Sequence, residues 1–589
     1  MAVSLAELKV LILDCQTTGA NPHKGHLLEI GWMPMRAADR DKSAAPAVRT
    51  FINRLPAGTA IPKAVSRITG ISEDSQVEAQ PSAIIWQHLK AEVEPLAAES
   101  SPVACPTVIH FARFETPFLR DFHRQQEPEA AFPFRIICTH EIAVRLLPDL
   151  PRRGLRAVAG YFNHSVPELK RSADHVAATA TVWGRMVELL DTEFDVRTPG
   201  QLADWLASTQ PSGRGRRVYP MASAKRRRLP DQPGVYRMLR ANGDLLYIGK
   251  AKSLKRRVSS YFRPRAPHAE HTLEMLSQAR EIEFTLTGSA LEAAMLESDE
   301  IKRRSPPYNK ALRGRQRRLV FGTKDLSRFA ASAGRDGTIG PLPDGSPIEA
   351  IAALGHWIRQ GCNWSDRELA DRGPKLFGLS TEAAPDPACL RQGLAIFRED
   401  HTRLGWKQSP LRLLTGLGAR LWRQRLAAAI AEAAGEEPAD SADVDGQAED
   451  ADAERVWTPE AVVKYLEHQV LHGAHLVRRA RWFCLLGEAS LAWQTTAATD
   501  GSRHLIVLVG GAVTRRETLA AADGIPIPPR CDRSFRARQI RLNLATYDRL
   551  RVLTTEMRRL ISASRPVELR LRPSVTLGND ELEKALRWV

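Results

Sequence analysis

Short apolar segments alternate with longer mixed segments through the first 200 residues. Residues 8–14 (LKVLILD) are apolar at nearly every position, and residues 27–35 (LLEIGWMPM) form a second apolar run. A third run at residues 107–112 (TVIHFA) precedes a stretch with helical spacing. Continuous apolar runs of this length are typical of buried strands. Strands that alternate with helices predict an α/β domain over residues 1–200.

Two short apolar strands enclose a turn signal near the middle of the chain. Residues 234–236 (GVY) and 247–249 (YIG) flank an Asn-Gly-Asp turn, which predicts a β-hairpin with Tyr236 and Tyr247 on neighbouring strands. The eight positions after this hairpin hold five basic residues, which are Lys250, Lys252, Lys255, Arg256 and Arg257. A basic helix of this kind is either a solvated surface or a grip on phosphate, and the pattern alone leaves both open.

Changes in composition divide the chain into six segments. Ser, Gly, Pro and Arg dominate the stretch before the hairpin, and residues 435–454 contain nine acids and no basic residue, which predicts a disordered linker. Strands are predicted at residues 482–494, 504–509 and 567–571, with a helix near 547–562. The predicted segments are 1–200 (α/β domain), 201–228 (basic linker), 229–312 (compact hairpin unit), 313–434 (mixed region), 435–454 (acidic linker) and 455–589 (α+β region).

Charge and cysteine content narrow the class of protein. The chain has 589 residues and a formal net charge of +16, which suits a polyanionic partner such as nucleic acid. None of its seven cysteines forms a CxxC pair, so neither a zinc ribbon nor a disulfide framework is indicated. Because no apolar run reaches about 18 residues and no signal peptide is visible, we expect a cytoplasmic protein without a membrane span.

The hairpin unit resembles the GIY-YIG nuclease family, in the version found in excinuclease C and its short relative Cho. The resemblance covers about 85 residues and includes both tripeptides, the helix AKSLKRRVSSYF, the element GSALEAAMLESDEIKRR and the closing Tyr-Asn of SPPYNK. It implies a DNA endonuclease that hydrolyses a phosphodiester with one Mg²⁺ (or Mn²⁺). Hard Mg²⁺ prefers a carboxylate and keeps most of its waters.

The resemblance also implies roles for individual residues. Glu297 would be the single metal ligand, and Tyr247 would accept a proton from the attacking water, with Tyr236 hydrogen-bonded beside it or sharing that role. A free tyrosine has a pKa near 10, so it needs nearby cations to act as a base. The remaining assignments are Lys250 and Arg257 as those cations, Arg257 also on the scissile phosphate, Tyr261 on the active-site face, Asn309 closing the site, and Lys252, Lys255 and Arg256 on solvent or the DNA backbone.

The N-terminal segment resembles the DEDDh (DnaQ-like) 3′–5′ exonucleases, the family of the polymerase III proofreading subunit. The motifs are LDCQTTGANPHKGHLLEIGW, VIHFARFETPFLRDF and LKRSADHVAATATVW, over about 180 residues. Such enzymes hold two Mg²⁺ with four acids and use a histidine base. Here Asp14 stands, Gln16 replaces a Glu, Glu115 replaces an Asp, His175 replaces the last acid with Asp174 beside it, and Lys170 replaces the histidine. We therefore expect either weak exonuclease activity or a degenerate domain that still cradles a nucleic-acid end or serves as a docking platform.

Three other features are read with their alternatives. Residues 339–355 and 375–380 resemble the region after the nuclease domain of excinuclease C and Cho, but the cysteine cluster often found there is missing. His468, His472 and His475 share one helical face and are either metal ligands or, as we favour, packing residues. The run Lys225–Arg228 (KRRR) is either a phosphate contact or a solvated linker.

These observations predict an α/β multidomain chain: an RNase H-like α/β domain, a small α+β GIY-YIG domain and α+β C-terminal regions. We expect a DNA repair endonuclease that makes one Mg²⁺-dependent incision, with recognition of damage delegated to the excinuclease A and B subunits. The alternatives are a DNA-binding scaffold that does not cut, and a nuclease that acts on RNA. The intact set of catalytic residue types favours an enzyme over a scaffold.

Overall fold

The computed structural model describes residues 3–39, 47–100, 104–211, 217–263, 267–309, 318–332, 339–379, 383–401, 409–433, 457–494, 501–529, 539, 542–572 and 574–587. The chain forms two compact units. Unit 1 contains residues 1–293 and 304–311, and unit 2 contains residues 294–303 and 312–589. The predicted acidic linker at residues 435–454 lies outside the described residues.

Unit 1 contains two sheets and most of the shorter helices. Its strands are β1 (Lys9–Thr17), β2 (Leu27–Arg36), β3 (Arg49–Ile52), β4 (Cys105–Ile109), β5 (Phe134–Cys138), β6 (Gly234–Leu239), β7 (Leu245–Ala251) and β8 (Glu281–Leu286). Its helices are α1 (Lys63–Thr69), α2 (Ser82–Ser100), α3 (Ala112–Gln126), α4 (Thr139–Leu146), α5 (Leu155–Tyr161), α6 (Ser172–Phe194), α7 (Pro199–Ser208), α8 (Ser223–Arg227), α9 (Leu254–Tyr261), α10 (Glu270–Gln278) and the first turn of α11 (Ala290–Arg304).

The N-terminal sheet has the order β3-β2-β1-β4-β5. The first three strands are antiparallel, whereas β4 and β5 run parallel to β1. Alternate residues of β1 enter two cores: Leu11 and Leu13 pack in the core that includes α2 and α3, and Val10 and Ile12 pack in the core that includes α6. Helices therefore cover both faces of a mixed sheet, which confirms the predicted RNase H-like α/β fold.

The predicted strands of this domain are confirmed except at one end. The third run ends earlier than predicted, because β4 stops at Ile109 and α3 starts at Ala112. Phe111 caps α3 with a left-handed backbone (φ 67°), a conformation that a strand cannot adopt. The chain turns sharply here, although the apolar pattern continues.

The second sheet of unit 1 is built on the predicted hairpin. Strand β6 pairs with β7 on one side and with β8 on the other, and all three are antiparallel. Tyr236 lies directly opposite Gly249. Helix α9 buries Leu254, Val258 and Tyr261, which recur at helical spacing. This burial directs the basic positions between them outward.

The predicted basic linker contains helical segments. Helix α7 has a capping box at Thr198, and α8 spans part of the KRRR run. Lys225 pairs with Glu281, and the Arg226 guanidinium lies 4.1 Å from the ring centre of Phe262. These two basic residues therefore pack on the hairpin domain.

Unit 2 combines a helical core with two sheets. Its strands are β9 (Leu319–Gly322), β10 (Phe329–Ala330), β11 (Ile339–Pro343), β12 (Ser490–Gln494), β13 (Arg503–Val509), β14 (Ala512–Leu519), β15 (Val567–Arg572) and β16 (Val575–Leu577). Its helices, besides residues 294–303 of α11, are α12 (Ser346–Arg359), α13 (Asp366–Phe377), α14 (Pro387–Asp400), α15 (Pro410–Ala433), α16 (Pro459–Leu486), α17 (Leu544–Ser562) and α18 (Asn579–Leu586).

The sheets of unit 2 have the orders β10-β9-β11 and β14-β13-β12-β15-β16. The strands predicted at residues 504–509 and 567–571 and the helix near 547–562 are confirmed. The strand predicted from residue 482 is wrong in its first half, because α16 continues to Leu486. Trp482 and Phe483 are buried, so an apolar helix end and a buried strand give the same local pattern.

The three histidines of α16 pack against aromatic rings. The ring of His475 lies 5.2 Å from that of Trp422, and His468 lies beside Tyr465 and His472. Burial, together with neighbouring arginines, lowers the pKa of His475 to about 4, so this imidazole is neutral at pH 7. In the part of the chain that the structure describes, no group of three His, Cys, Asp or Glu side chains is placed to hold a metal ion. A search of the same residues finds no helix that could cross a membrane.

Candidate active site

A chain of hydrogen bonds links three predicted catalytic residues of the hairpin domain. The hydroxyl oxygens of Tyr236 and Tyr261 are 2.9 Å apart, and Arg257 Nη2 donates to the Tyr261 hydroxyl at 3.1 Å. The ring of Tyr247 lies 6.1 Å from the ring of Tyr236. Register explains the approach, since the β6–β7 pairing and the first turns of α9 bring these side chains to one side of the sheet.

Burial separates the two tyrosines of the hairpin. Tyr236 is fully buried, whereas Tyr247 is half-buried. Burial raises the pKa of Tyr236 well above its ordinary value, and the neighbouring Tyr261 and Tyr247 add to this effect although Arg257 opposes it. Tyr236 is therefore a neutral phenol at pH 7, suited to hydrogen bonding rather than to accepting a proton.

Asn309 pairs with the backbone of β7 between Tyr247 and Gly249. Its Oδ1 accepts from the Ile248 amide at 2.9 Å, and its Nδ2 donates to the Ile248 carbonyl oxygen at 2.8 Å. Since β7 is an edge strand of its sheet, Asn309 satisfies backbone groups that the sheet leaves open. The structure thus places Asn309 against the tyrosine strand.

The basic residues differ in how they are held. Lys250 is half-buried on β7, while Lys252, Lys255 and Arg256 are exposed. Arg256 lies 3.5 Å from Asp231, and the Ser253 hydroxyl accepts from the Arg256 amide at the start of α9. Exposed cations on this outer face are accessible to a phosphate backbone.

Glu297 lies on α11, in the part of the helix that belongs to unit 2. Its side chain is half-buried, so water can reach the carboxylate. One accessible carboxylate fits a Mg²⁺ ion that keeps most of its own waters, and such a site needs no cluster of protein ligands. Within unit 2, Arg549 binds both carboxylate oxygens of Asp299 at 3.0–3.2 Å, and Lys302 pairs with Asp548 at 3.0 Å, which anchors the helix.

A second polar cluster lies on β1 of the N-terminal domain. Gln16 Nε2 donates to Asp14 Oδ2 at 2.7 Å, and His175 Nδ1 lies 3.0 Å from Asp14 Oδ1. Glu115 Oε2 accepts from the Cys15 amide at 2.9 Å. The structure therefore brings together Asp14, Gln16, Glu115 and His175, with Asp174 half-buried in the first turn of α6.

This cluster does not fit two Mg²⁺ ions held by four acids. Both oxygens of Asp14 are engaged by the substituted residues, and an amide N–H takes the place of a negative oxygen. Burial and the charge of Asp14 raise the pKa of Glu115. Burial lowers the pKa of His175, but the Asp14 carboxylate outweighs this effect and the pKa is raised overall.

A cavity of about 620 Å³ opens above this cluster. Phe111 and Phe114 lie on its wall with 40% and 37% of their surface exposed. The basic residues of the wall are Arg152, Arg153, Arg156 and Lys170. Lys170 was singled out from the sequence, whereas the three arginines were missed, although the segment PRRGLR (residues 151–156) displays them.

Comparison with known proteins identifies the hairpin domain. Residues 232–310 match the model of the UvrC-like GIY-YIG domain. UvrABC system protein C of Psychrobacter sp. (strain PRwf-1) is 52% identical over 87 residues, which cover 15% of this chain and 14% of that protein. The Alcanivorax borkumensis protein of the same name is 36% identical over 148 residues, 24% of each chain. The chain thus spans a quarter or less of these curated relatives.

Two solved structures illustrate the two domains of unit 1. The magnesium-bound GIY-YIG N-terminal endonuclease domain of UvrC from Thermotoga maritima is 36% identical and covers 15% of this chain and 92% of its own, with a TM-score of 0.14. The nuclease domain of 3′hExo, a DEDDh family member, is 12% identical and covers 32% of this chain and 95% of its own, with a TM-score of 0.26. The family match of residues 232–310 confirms the predicted GIY-YIG domain of the UvrC type.

Proposed function

We propose that this chain, whose residues 232–310 form a UvrC-like GIY-YIG domain, is a DNA repair endonuclease that makes one Mg²⁺-dependent incision in damaged DNA during nucleotide excision repair. The observation that carries the proposal is the hydrogen-bonded set Tyr236–Tyr261–Arg257 inside that domain. A scaffold that does not cut has no need of a buried phenol chain that ends on an arginine.

The residues divide the work of hydrolysing a phosphodiester. Tyr247, which is half-buried, accepts a proton from the attacking water at its phenolic oxygen, and Tyr236 orients the neighbouring groups as a neutral hydrogen-bonding partner. Arg257 stabilises the negative charge that develops on the phosphoryl oxygens. Glu297 would hold the Mg²⁺ ion, which when bound supplies further positive charge beside the phosphate. Lys250 favours the phenolate form of Tyr247, and Asn309 fixes the strand that carries Tyr247.

DNA and two protein partners follow from the same proposal. Lys252, Lys255 and Arg256 contact the phosphate backbone, so binding weakens as salt is added. The excinuclease A and B subunits deliver the damaged site, because the described residues offer no evident reader of damaged bases.

The proposal is tested by incision of a duplex with one bulky lesion. We expect the purified protein with Mg²⁺ and the A and B subunits to produce one discrete cut near the lesion on end-labelled DNA. Omission of the A and B subunits is expected to remove the cut, and so is chelation of the metal with EDTA. A cut that is equally strong on undamaged DNA, or that survives EDTA, would argue against this function.

The N-terminal domain supports a second role in the same protein, the binding of a strand end without hydrolysis. Exposed aromatic side chains such as Phe111 and Phe114 can stack on bases, and the arginines of the cavity wall can contact phosphates. The cluster below them lacks the ligands for two metal ions. We infer that this domain retains an end of the DNA while the GIY-YIG domain cuts.

Degradation of single-stranded DNA tests this inference. We expect 3′ ends to be trimmed slowly or not at all, with Mg²⁺ or with Mn²⁺, because Gln16 and His175 occupy the oxygens of Asp14. The measurement is release of nucleotides from a 3′-labelled single strand. Fast trimming that is lost in Asp14→Ala would show instead that the domain is an active exonuclease.

A further inference from the structure

Helix α10 of the GIY-YIG domain packs against α5 of the N-terminal domain, within unit 1. The Arg152 amide donates to the Ser277 hydroxyl at 2.9 Å, and the Arg280 guanidinium lies 4.4 Å from the ring centre of Tyr161. The two helices approach closely at Gly160, where a β-carbon would overlap the side chain of Gln278. The two domains therefore share a specific contact rather than a loose tether.

Glu274 of α10 is the centre of this contact. Arg156 Nη1 of α5 lies 3.1 Å from Glu274 Oε1, and the Tyr308 hydroxyl donates to the same oxygen at 2.7 Å. The Arg156 guanidinium also lies 5.5 Å from the ring centre of Tyr308. The side chains of Arg156 and Glu274 are each only 24% exposed, so this pair is screened less than a surface ion pair.

The network continues on the other side of Tyr308. Gln278 Nε2 donates to the Tyr308 hydroxyl at 2.5 Å, and Gln278 Oε1 accepts from Arg240 Nε and Nη2 at 3.1 and 2.9 Å. Gln278 and Arg240 are almost fully buried. Tyr308 is thus held at its hydroxyl by groups that have no alternative partner in water.

Tyr308 directly precedes Asn309. The Tyr308 amide donates to the Leu246 carbonyl oxygen at 3.1 Å, and Asn309 brackets Ile248 with two hydrogen bonds. These contacts flank Tyr247 on both sides. A displacement of Tyr308 would therefore reach the strand that carries the candidate general base.

We propose that Arg156 and Glu274 are positioning residues of the GIY-YIG site, and that the exonuclease-like domain thereby serves as a structural part of the neighbouring nuclease. Arg156 fixes Glu274, Glu274 fixes the Tyr308 hydroxyl, and Tyr308 with Asn309 fixes β7 around Tyr247. This inference rests on the proposed incision activity for its functional consequence, but its structural content can be measured without it.

The test uses the full chain with Arg156→Ala, Arg156→Lys and the control Arg185→Ala. Arg185 pairs with Glu188 on the surface of the same domain, so its loss removes an arginine without touching α10. Two quantities are measured: the single-turnover incision rate at saturating DNA, and hydrogen exchange of the amides in residues 246–250 and 305–309.

For Arg156→Ala we expect incision to slow by about tenfold, since small misplacements of catalytic groups are costly. Exchange is expected to rise in both peptides, while the thermal unfolding midpoint and the affinity for DNA stay near those of the control. Arg156→Lys restores most of both effects, because it keeps a positive charge beside Glu274.

The outcomes separate this inference from the proposed function. Exchange that rises around Ile248 in a protein that never cuts DNA would support positioning and reject the endonuclease. Unchanged incision and unchanged exchange at these peptides would overturn the positioning role. Exchange that rises only in α5 and α10 would overturn it as well, because the ion pair would then be purely a local contact.

Discussion

Replacement of Glu297 by glutamine is expected to reduce incision by on the order of 10³-fold, because an amide cannot balance the charge of a Mg²⁺ ion and the developing phosphoryl charge loses its counterion. The substitution keeps the size of the side chain, and Glu297 is half-buried, so folding should be unaffected. The measurement is the single-turnover incision rate across a series of Mg²⁺ concentrations.

Glu292→Gln is the matched control for this substitution. Glu292 lies in the first turn of the same helix, where its Oε1 accepts from the Ser289 hydroxyl at 3.3 Å. We expect this variant to cut at nearly the rate of the unaltered protein. An unchanged rate and Mg²⁺ dependence in Glu297→Gln would remove Glu297 from the site.

Replacement of Gly249 by alanine is expected to impair both folding and incision. A β-carbon at this position would lie 2.5 Å from Tyr236 Cζ and 2.8 Å from Tyr247 Cε1, and closer still to the Tyr236 hydroxyl. Tyr236 is fully buried and bonded to Tyr261, so it has no space into which to move. We expect a loss of stability of about 1–3 kcal/mol, as for other overpacked cores, and a decrease in incision of about 100-fold from misplaced tyrosines.

Gly200→Ala is the control for the effect of a methyl group as such. Gly200 lies in α7, and a β-carbon there meets no atom within 4 Å. We expect this variant to retain both stability and incision. Urea unfolding and the incision rate are measured on the same preparations, and a Gly249→Ala protein that matches Gly200→Ala in both would contradict the packing described for the tyrosines.

The sequence predicted the hairpin domain well, because the features that define it are local. Turn chemistry and two apolar tripeptides determine the β6–β7 register that sets Tyr236 opposite Gly249. Helical spacing of Leu254, Val258 and Tyr261 determines which face of α9 is basic. In the N-terminal domain, the continuous apolar run of β1 likewise predicts a strand covered on both faces.

Other parts of the site depend on contacts that are distant in sequence. The pairing of Arg156 with Glu274 joins residues of two domains, and neither residue type nor spacing indicates it. The arginines of the N-terminal cavity were visible as letters, but only the fold shows that they surround Asp14. The strand predicted from Trp482 failed because burial of a helix end and of a strand produce the same apolar run.

The decisive experiment asks which domain makes the cut. Lesion-containing duplex, Mg²⁺ and the A and B subunits are incubated with the unaltered protein, with Glu297→Gln and with Asp14→Ala. We predict one discrete incision that is lost in Glu297→Gln and retained in Asp14→Ala. An incision that persists in Glu297→Gln and disappears in Asp14→Ala would contradict the proposed function and assign the chemistry to the N-terminal domain.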